Sequence, residues 1–217
     1  MTRWMKLAPL ALLMMASACT VYEGNGNIVE EKRELPRDVS DLRVDGVRVE
    51  IEVDPHHTGR PEVTVRADEN LLSRVRTDVT GRALTISEDG WLEPTAPIRA
   101  RVRVRSLDEV RADGGEVYTE VSGLRRLTVE ASGNANIYLA GDVKTLELRG
   151  SGSGRVDAKD LSAWVARIDL RDGSSAEVCV EDTLDTAQRD NSELHTWCTP
   201  FSITEDLSDS AAVYHHR

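Results

Sequence analysis

Aromatic side chains are scarce in this sequence, with one phenylalanine, four tyrosines and four tryptophans among 217 residues. So low a content fits one elongated domain or two small ones tightly joined. Only three cysteines are present, and nothing around them has zinc-site spacing; a nucleophile motif and a phosphate-binding loop are also missing. The apolar run Leu7 to Met15 is too short to cross a bilayer, which takes roughly 20 residues. Basic residues are outnumbered, 27 against 38 acidic ones. That balance argues against nucleic acid, whose phosphates would be repelled, and against electrostatic docking on anionic lipid. No reaction, cofactor or metal is implied by any motif.

What is present begins with an export signal. Arg3 and Lys6 precede the apolar run, and Ala16-Ser17-Ala18 supplies small residues before Cys19. A cysteine directly after such residues resembles a bacterial lipoprotein signal, in which it becomes the lipid-modified N-terminus. Ala16 departs from the commoner leucine, and the alternative is an ordinary cleaved signal with an incidental cysteine. Thr20 follows, with no aspartate to favour inner-membrane retention, so the expected location is the cell envelope, as an outer-membrane lipoprotein. Removal of residues 1–18 leaves 25 basic against 38 acidic side chains. Thr20 to Asn27, with Gly24 and Gly26, reads as a flexible tether. Cys179 and Cys198 fall on adjacent repeats but, by alternation, on opposite faces, which predicts two separate thiols, a bridge being the other possibility.

From Ala112 to Arg217 the chain repeats every 18 to 20 residues. Corners recur as ADGGEV from Ala112, SGNANI from Ser132, SGSGRV from Ser151, RDGSSA from Arg171, RDNSEL from Arg189 and SDSAAV from Ser208. Alternating apolar stretches flank each corner. So short a period, strand-like on both sides of a turn, is the pattern of a stacked β-coil whose units cannot bury their apolar faces alone. The predicted class is all-β: a parallel β-helix or solenoid over 112–217 with an N-terminal β-strand segment over 28–111, all of 28–217 forming one domain. Its inward column before the corners is Leu127, Val129, Ala131, Leu146, Leu148, Ala166, Ile168, Leu170 and Leu184. After the corners it is Ile137, Leu139, Val156, Ala158, Ala176, Val178, Leu194, Thr196 and Val213. The Ala112 unit is out of register between its halves, which predicts a bulge there.

In the N-terminal segment Val47, Val49, Ile51 and Val53 alternate with charged residues, and Glu62 to Ala67, Val75 to Val79 and Ala83 to Ser87 also read as strands. Asp68 is placed to cap a short helical turn through Leu72, and Asp89 to Pro97 reads as a loop. Arg99, Arg101, Arg103 and Arg105 share one face of a strand. Glu50, Glu52 and Asp54 offer the opposite charge, so this face is expected to be internally paired and solvated rather than an anion site.

The order of these features resembles a family. Gly26-Asn27-Ile28-Val29-Glu30, Leu42-Arg43-Val44, Val47 to Val53, Ala67-Asp68-Glu69-Asn70-Leu71-Leu72 and the serial Ser-Gly corners are similar to the putative auto-transporter adhesin head domain called GIN. The likeness runs over about residues 26–217. It implies a parallel β-helix, right-handed as parallel crossovers are, in secreted or lipid-anchored proteins with an adhesive name. Asp190-Asn191 and Ser208-Asp209 depart from the Ser-Gly pattern and leave the regularity of the last coils open.

The outward column six residues after each repeat start holds Tyr118, Tyr138, Asp157, Glu177, His195 and Tyr214, and Trp197 also points outward. These residues are the candidate ligand surface, with Cys19 the lipidation site. Aromatics mixed with carboxylates suit sugar rings, although tyrosine is favoured on any exposed strand. The expected function is non-enzymatic: a lipid-anchored envelope protein presenting a β-helical surface for adhesion or binding, with a glycan or an envelope protein as partner. The alternative is a polysaccharide lyase or hydrolase built on Asp157 and Glu177, against which stand the short coils and the lack of loops to build a cleft. His56-His57 and His215-His216 are adjacent pairs that cannot easily chelate one ion. A last coil ending in His215, His216 and Arg217 has no obvious cap, so weak homo-oligomerisation through that end is also expected.

Overall fold

The computed structural model describes residues 20–36, 38–54 and 58–216. Cys19 with the signal segment, the His56-His57 pair and Arg217 lie outside the described residues. The strands in chain order are β1 (Val21–Glu23), β2 (Ile28–Glu34), β3 (Asp41–Asp45), β4 (Arg48–Val53), β5 (Glu62–Asp68), β6 (Val75–Thr80), β7 (Ala83–Glu88), β8 (Trp91–Glu93) and β9 (Arg99–Val104). They continue as β10 (Glu109–Asp113), β11 (Glu116–Leu124), β12 (Leu127–Ser132), β13 (Asn136–Gly150), β14 (Arg155–Leu170), β15 (Ser175–Gln188), β16 (Glu193–Thr196), β17 (Ser202–Leu207) and β18 (Ala212–His215).

The fold is a β-solenoid. Each coil sends one strand up to a corner and another away from it, and equivalent strands stack in parallel: β3, β10, β12 and the second half of β13 before the corners, β4, β11 and the first half of β13 after them. The long strands β13, β14 and β15 each serve both columns. Parallel pairing runs across residue 112 without a break, since β10 pairs with β3 and β11 with β4. At the N-terminal end, chain reversal ends the stack: β9 lies between β4 and β5, and β5 and β6 pair antiparallel to β9 and β7. At the other end β17 pairs with β15 and β18 with β16, leaving Phe201, Ile203 and Leu207 exposed.

The inward column is buried as expected, from Leu127 through Leu194 and Thr196, with Val213 partly buried at the last coil. It is nearly all Val, Leu, Ile and Ala, each larger side chain contributing about 1.5–3 kcal/mol on burial. The corners stay regular to the end. Gly133, Gly152, Asp172, Asp190 and Asp209 all hold the left-handed conformation, φ 59 to 64°. Aspartate tolerates this region better than most side chains. Here it gains a second use, because the Asp172 carboxylate accepts from the Gly152 amide at 3.0 Å and that of Asp190 from the Asp172 amide at 3.2 Å.

The irregularity of the Ala112 unit falls after its corner, where the β11–β13 register shifts between Val121 and Leu124. There the chains come so close that a Cβ on Gly141 (φ +106°) would sit 1.7 Å from the Val121 carbonyl oxygen.

Three local expectations are corrected. Cys179 and Cys198 form a disulfide with a Cα–Cα distance of 4.8 Å. The alternation that separated them ends with β16 at Thr196, and the chain bends at Cys198, turning it back over β15. Asp68 does not cap the single 3-10 turn Leu72–Arg74. Its buried carboxylate instead accepts from the Gly26 amide at 2.7 Å and from the Thr95 amide and hydroxyl at 2.9 and 2.7 Å. Burial acts to raise its pKa, but the hydrogen bonds from Thr95 and Gly26 prevail and hold it below the ordinary carboxylate value. The segment 20–27 is not a loose tether: β1 pairs with β8, inside the stretch read as a loop, and Asn25 and Asn27 bond to Asn70 and Glu69.

The bridge closes a loop of 19 residues in sequence separation, for which chain-entropy reasoning gives about 3 kcal/mol. Replacing both Cys179 and Cys198 by Ser is therefore expected to lower the melting temperature by roughly 6–12 °C. An unchanged melt would mean that the bridge contributes nothing to stability.

Candidate functional site

Strand alternation places every second side chain outside, and parallel in-register stacking sets equivalent positions above one another. All six predicted column residues obey this. Lys32, Thr64, Arg101, Glu50, Tyr118, Tyr138, Asp157, Glu177, His195 and Tyr214 are successive register partners in one row across ten strands. At about 4.8 Å per strand the row is about 43 Å long.

Two aromatic groups stand in this row with carboxylates between them. In the first, the Tyr118 and Tyr138 rings stack at 4.5 Å, 8° from parallel. Arg48, on the strand at the other side of β11, lies over Tyr118 at 4.5 Å and pairs with Glu116 at 3.1 Å. Both faces of Tyr118 are thereby covered, and its hydroxyl donates to Glu116 at 3.2 Å. Burial first, and then the Glu116 charge, push its phenol above the usual value. An open groove of about 680 Å³ runs past this pair, lined by both tyrosines with Glu50 and Arg101 on one side and Asp157 and Asp160 on the other.

The second group gathers at the last coils. His195 stacks with Tyr214 at 4.8 Å and with His216 at 5.1 Å, and Trp197 stacks with His216 at 4.2 Å. The ring nitrogens of His195 and His216 are 2.9 Å apart. Trp197 is half exposed and its indole donates to Glu177 at 2.9 Å. His215 points the opposite way, to the Thr196 hydroxyl and the Glu205 carboxylate. Between the groups, Asp157 pairs with Lys159, whose ammonium the hydrogen bond holds more firmly protonated.

Alternation alone reached the row but not Arg48 or His216. Each lies two residues from a row member on the same face, Arg48 before Glu50 and His216 after Tyr214, so the signal was present in the same rule. Trp164, half exposed in the middle of β14, was not singled out and is separate from the row. The arginine face behaves as expected where Arg101 meets Glu50 at 3.3 Å and Arg103 meets Glu52 at 2.9 Å. Among the described residues no three His, Cys, Asp or Glu side chains are placed to hold a metal ion, and no helix is long and apolar enough to cross a membrane.

Among curated proteins none is similar to this chain in sequence. Solved structures share its fold. A putative adhesin from Bacteroides fragilis NCTC 9343 is 12% identical with a TM-score of 0.73, the match covering 89% of this chain and 99% of that one. A putative adhesin from Parabacteroides merdae ATCC 43184 is 17% identical with a TM-score of 0.57, covering 91% and 99%. A putative lipid binding protein from Parabacteroides distasonis ATCC 8503 is 18% identical with a TM-score of 0.58, covering 91% and 100%. At such identities these likenesses establish the fold alone. The sequence match is more specific: residues 45–200, most of the solenoid, fit the family described as putative auto-transporter adhesin, head GIN domain, and the chain belongs to that family.

Proposed function

We propose that this chain is a non-enzymatic, adhesin-like protein of the bacterial cell envelope, anchored by lipid on Cys19, and that it binds a glycan on its outward row near the last coils. The observation that carries this reading is the cluster of His195, Trp197, Tyr214 and His216 beside Glu177. Aromatic rings next to a carboxylate offer stacking and hydrogen bonding together. Tyr118, covered on both faces, offers a sugar only an edge. Trp197 and Tyr214, 47% and 46% exposed, are the rings with free surface.

The enzymatic alternative is less well supported by the same geometry. Asp157 and Glu177 are register neighbours on one sheet face rather than opposed across a substrate. Each is engaged, Asp157 by Lys159 and Glu177 by the Trp197 indole. Membership of an adhesin family is consistent with a binding role.

The test is titration of the soluble form, residues 20–217, with a panel of envelope and host polysaccharides while tryptophan emission is followed. A saturable change that weakens at least tenfold in Trp197→Ala, or about 1.4 kcal/mol, is the expected outcome. Silence across the panel would sink the glycan reading in favour of a protein partner.

A further inference from the structure

The β1–β8 ribbon is a small sheet of its own, and its exposed apolar residues are not used by the row. Val21 and Trp91 are direct register partners, 42% and 66% exposed. Two residues further along, the partners are Glu23 and Glu93. The ribbon is therefore apolar at the end where the chain enters and acidic at the other.

It is also firmly attached to the solenoid. Tyr22 packs against the core under the Arg74 guanidinium, 3.7 Å from its ring centre, and Leu92 is buried. The Gly24 amide closes the ribbon on the Glu93 carbonyl at 2.9 Å, while Asn70, donating to the Glu23 carbonyl at 2.8 Å, and Asp68, accepting from the Gly26 amide at 2.7 Å, tie it to the solenoid. A Cβ on Gly24 would stand 2.4 Å from an Asp68 oxygen, so the passage is tight.

Covalent geometry then connects this ribbon to the anchor. Cys19 precedes Val21 by two residues, a reach of about 7 Å at most, and the neighbouring strand adds about 4.8 Å. If Cys19 carries the acyl chains, the Trp91 backbone cannot be more than about 12 Å from it. Tryptophan is the residue that favours the boundary between acyl chains and water, because its ring is apolar and its N–H polar.

We infer that Val21 and Trp91 form a membrane seat: the ribbon rests in the interface of the bilayer that holds the Cys19 lipid, and the head is held at a fixed pose rather than on a leash. The occupant is the lipid surface, reached by apolar contact, since the acidic mature chain gains nothing from anionic headgroups. This inference rests on the lipoprotein reading of Cys19, and the experiment separates the two.

The processed full chain is purified from membranes, and the mass of its N-terminal peptide is measured. It is then reconstituted into phosphatidylcholine vesicles with and without brominated acyl chains, which quench nearby indoles. Two versions are compared: Trp164→Phe with Trp197→Phe, which keeps Trp91, and Trp91→Phe with Trp197→Phe, which keeps Trp164. An acylated Cys19 with at least twofold quenching of Trp91, and none of Trp164, is expected. An acylated protein whose Trp91 is quenched no more than Trp164 overturns the seat and leaves the anchor standing. An unmodified N-terminus overturns both.

Discussion

Ile168→Asp is expected to abolish the single cooperative melt. Ile168 is 3% exposed, with Leu148 and Thr186 as its register neighbours on the two adjoining coils. The substitution removes a packed side chain, costing about 2–5 kcal/mol for a truncation of that size. It also leaves a carboxyl without a partner where burial disfavours the charge. Together the loss is about 5 kcal/mol or more, against a total stability of about 5–15 kcal/mol for an ordinary domain. Because each coil contacts only its neighbours, the damage should be one-sided. Coils beyond β14 lose their template, while those built on β3, β10 and β12 keep theirs. Limited proteolysis should then remove the C-terminal coils first. Arg167→Ser, at the neighbouring outward position, should change stability by less than about 0.5 kcal/mol. A native circular dichroism spectrum and an unchanged melting temperature for Ile168→Asp would show that this position does not face the core.

Gly141→Ala should be nearly as damaging, although it adds only one methyl group. The obstacle is the Val121 carbonyl oxygen, 1.7 Å from the new Cβ, with φ at +106°. The neighbour is backbone already committed to the bulge between β11 and β13, so it cannot step aside as a flexible side chain would. Overpacking of this kind costs about 1–3 kcal/mol and the strained dihedral a similar amount, about 2–6 kcal/mol together. Gly81 provides the contrast. It also has positive φ, +61°, but nothing lies within 4 Å of the point where a Cβ would stand, so Gly81→Ala should cost only about 1 kcal/mol. Urea titration of both variants checks the difference. Equal losses would mean that the dihedral, not the close approach, governs.

The solenoid and its two side-chain columns were legible in the sequence because both rest on local rules. Alternation fixes which side a residue faces, and a constant period fixes which residues stack. Leu127 through Leu194 and Tyr118 through Tyr214 follow from those two rules alone. What escaped depends on where a rule stops or on pairing between distant segments. The disulfide became possible because alternation ends at Thr196, and no local signal marks that stop. The insertion of β9 between β4 and β5 is a non-local choice of partner. Asp68 resembled a helix cap because its neighbours suit one, yet it accepts from Gly26 and Thr95, residues remote in sequence. The same remoteness hid the docking of β1, since glycines at 24 and 26 suit a loose segment as well as a tightly fitted one. Later corners kept their shape because aspartate replaced glycine at the one position where it could follow the same backbone.

The Cys179–Cys198 bridge has a mechanical meaning. A force applied between β1 and the last coils runs along the stack, across every ladder in series. Peeling a coil of some 19 residues would release about 60 Å of slack chain. The coil next to Trp197 is the one that cannot unwind in this way, because the bridge ties its two ends together. A pull on that end meets a closed ring rather than a spool, and forced extension has to start elsewhere.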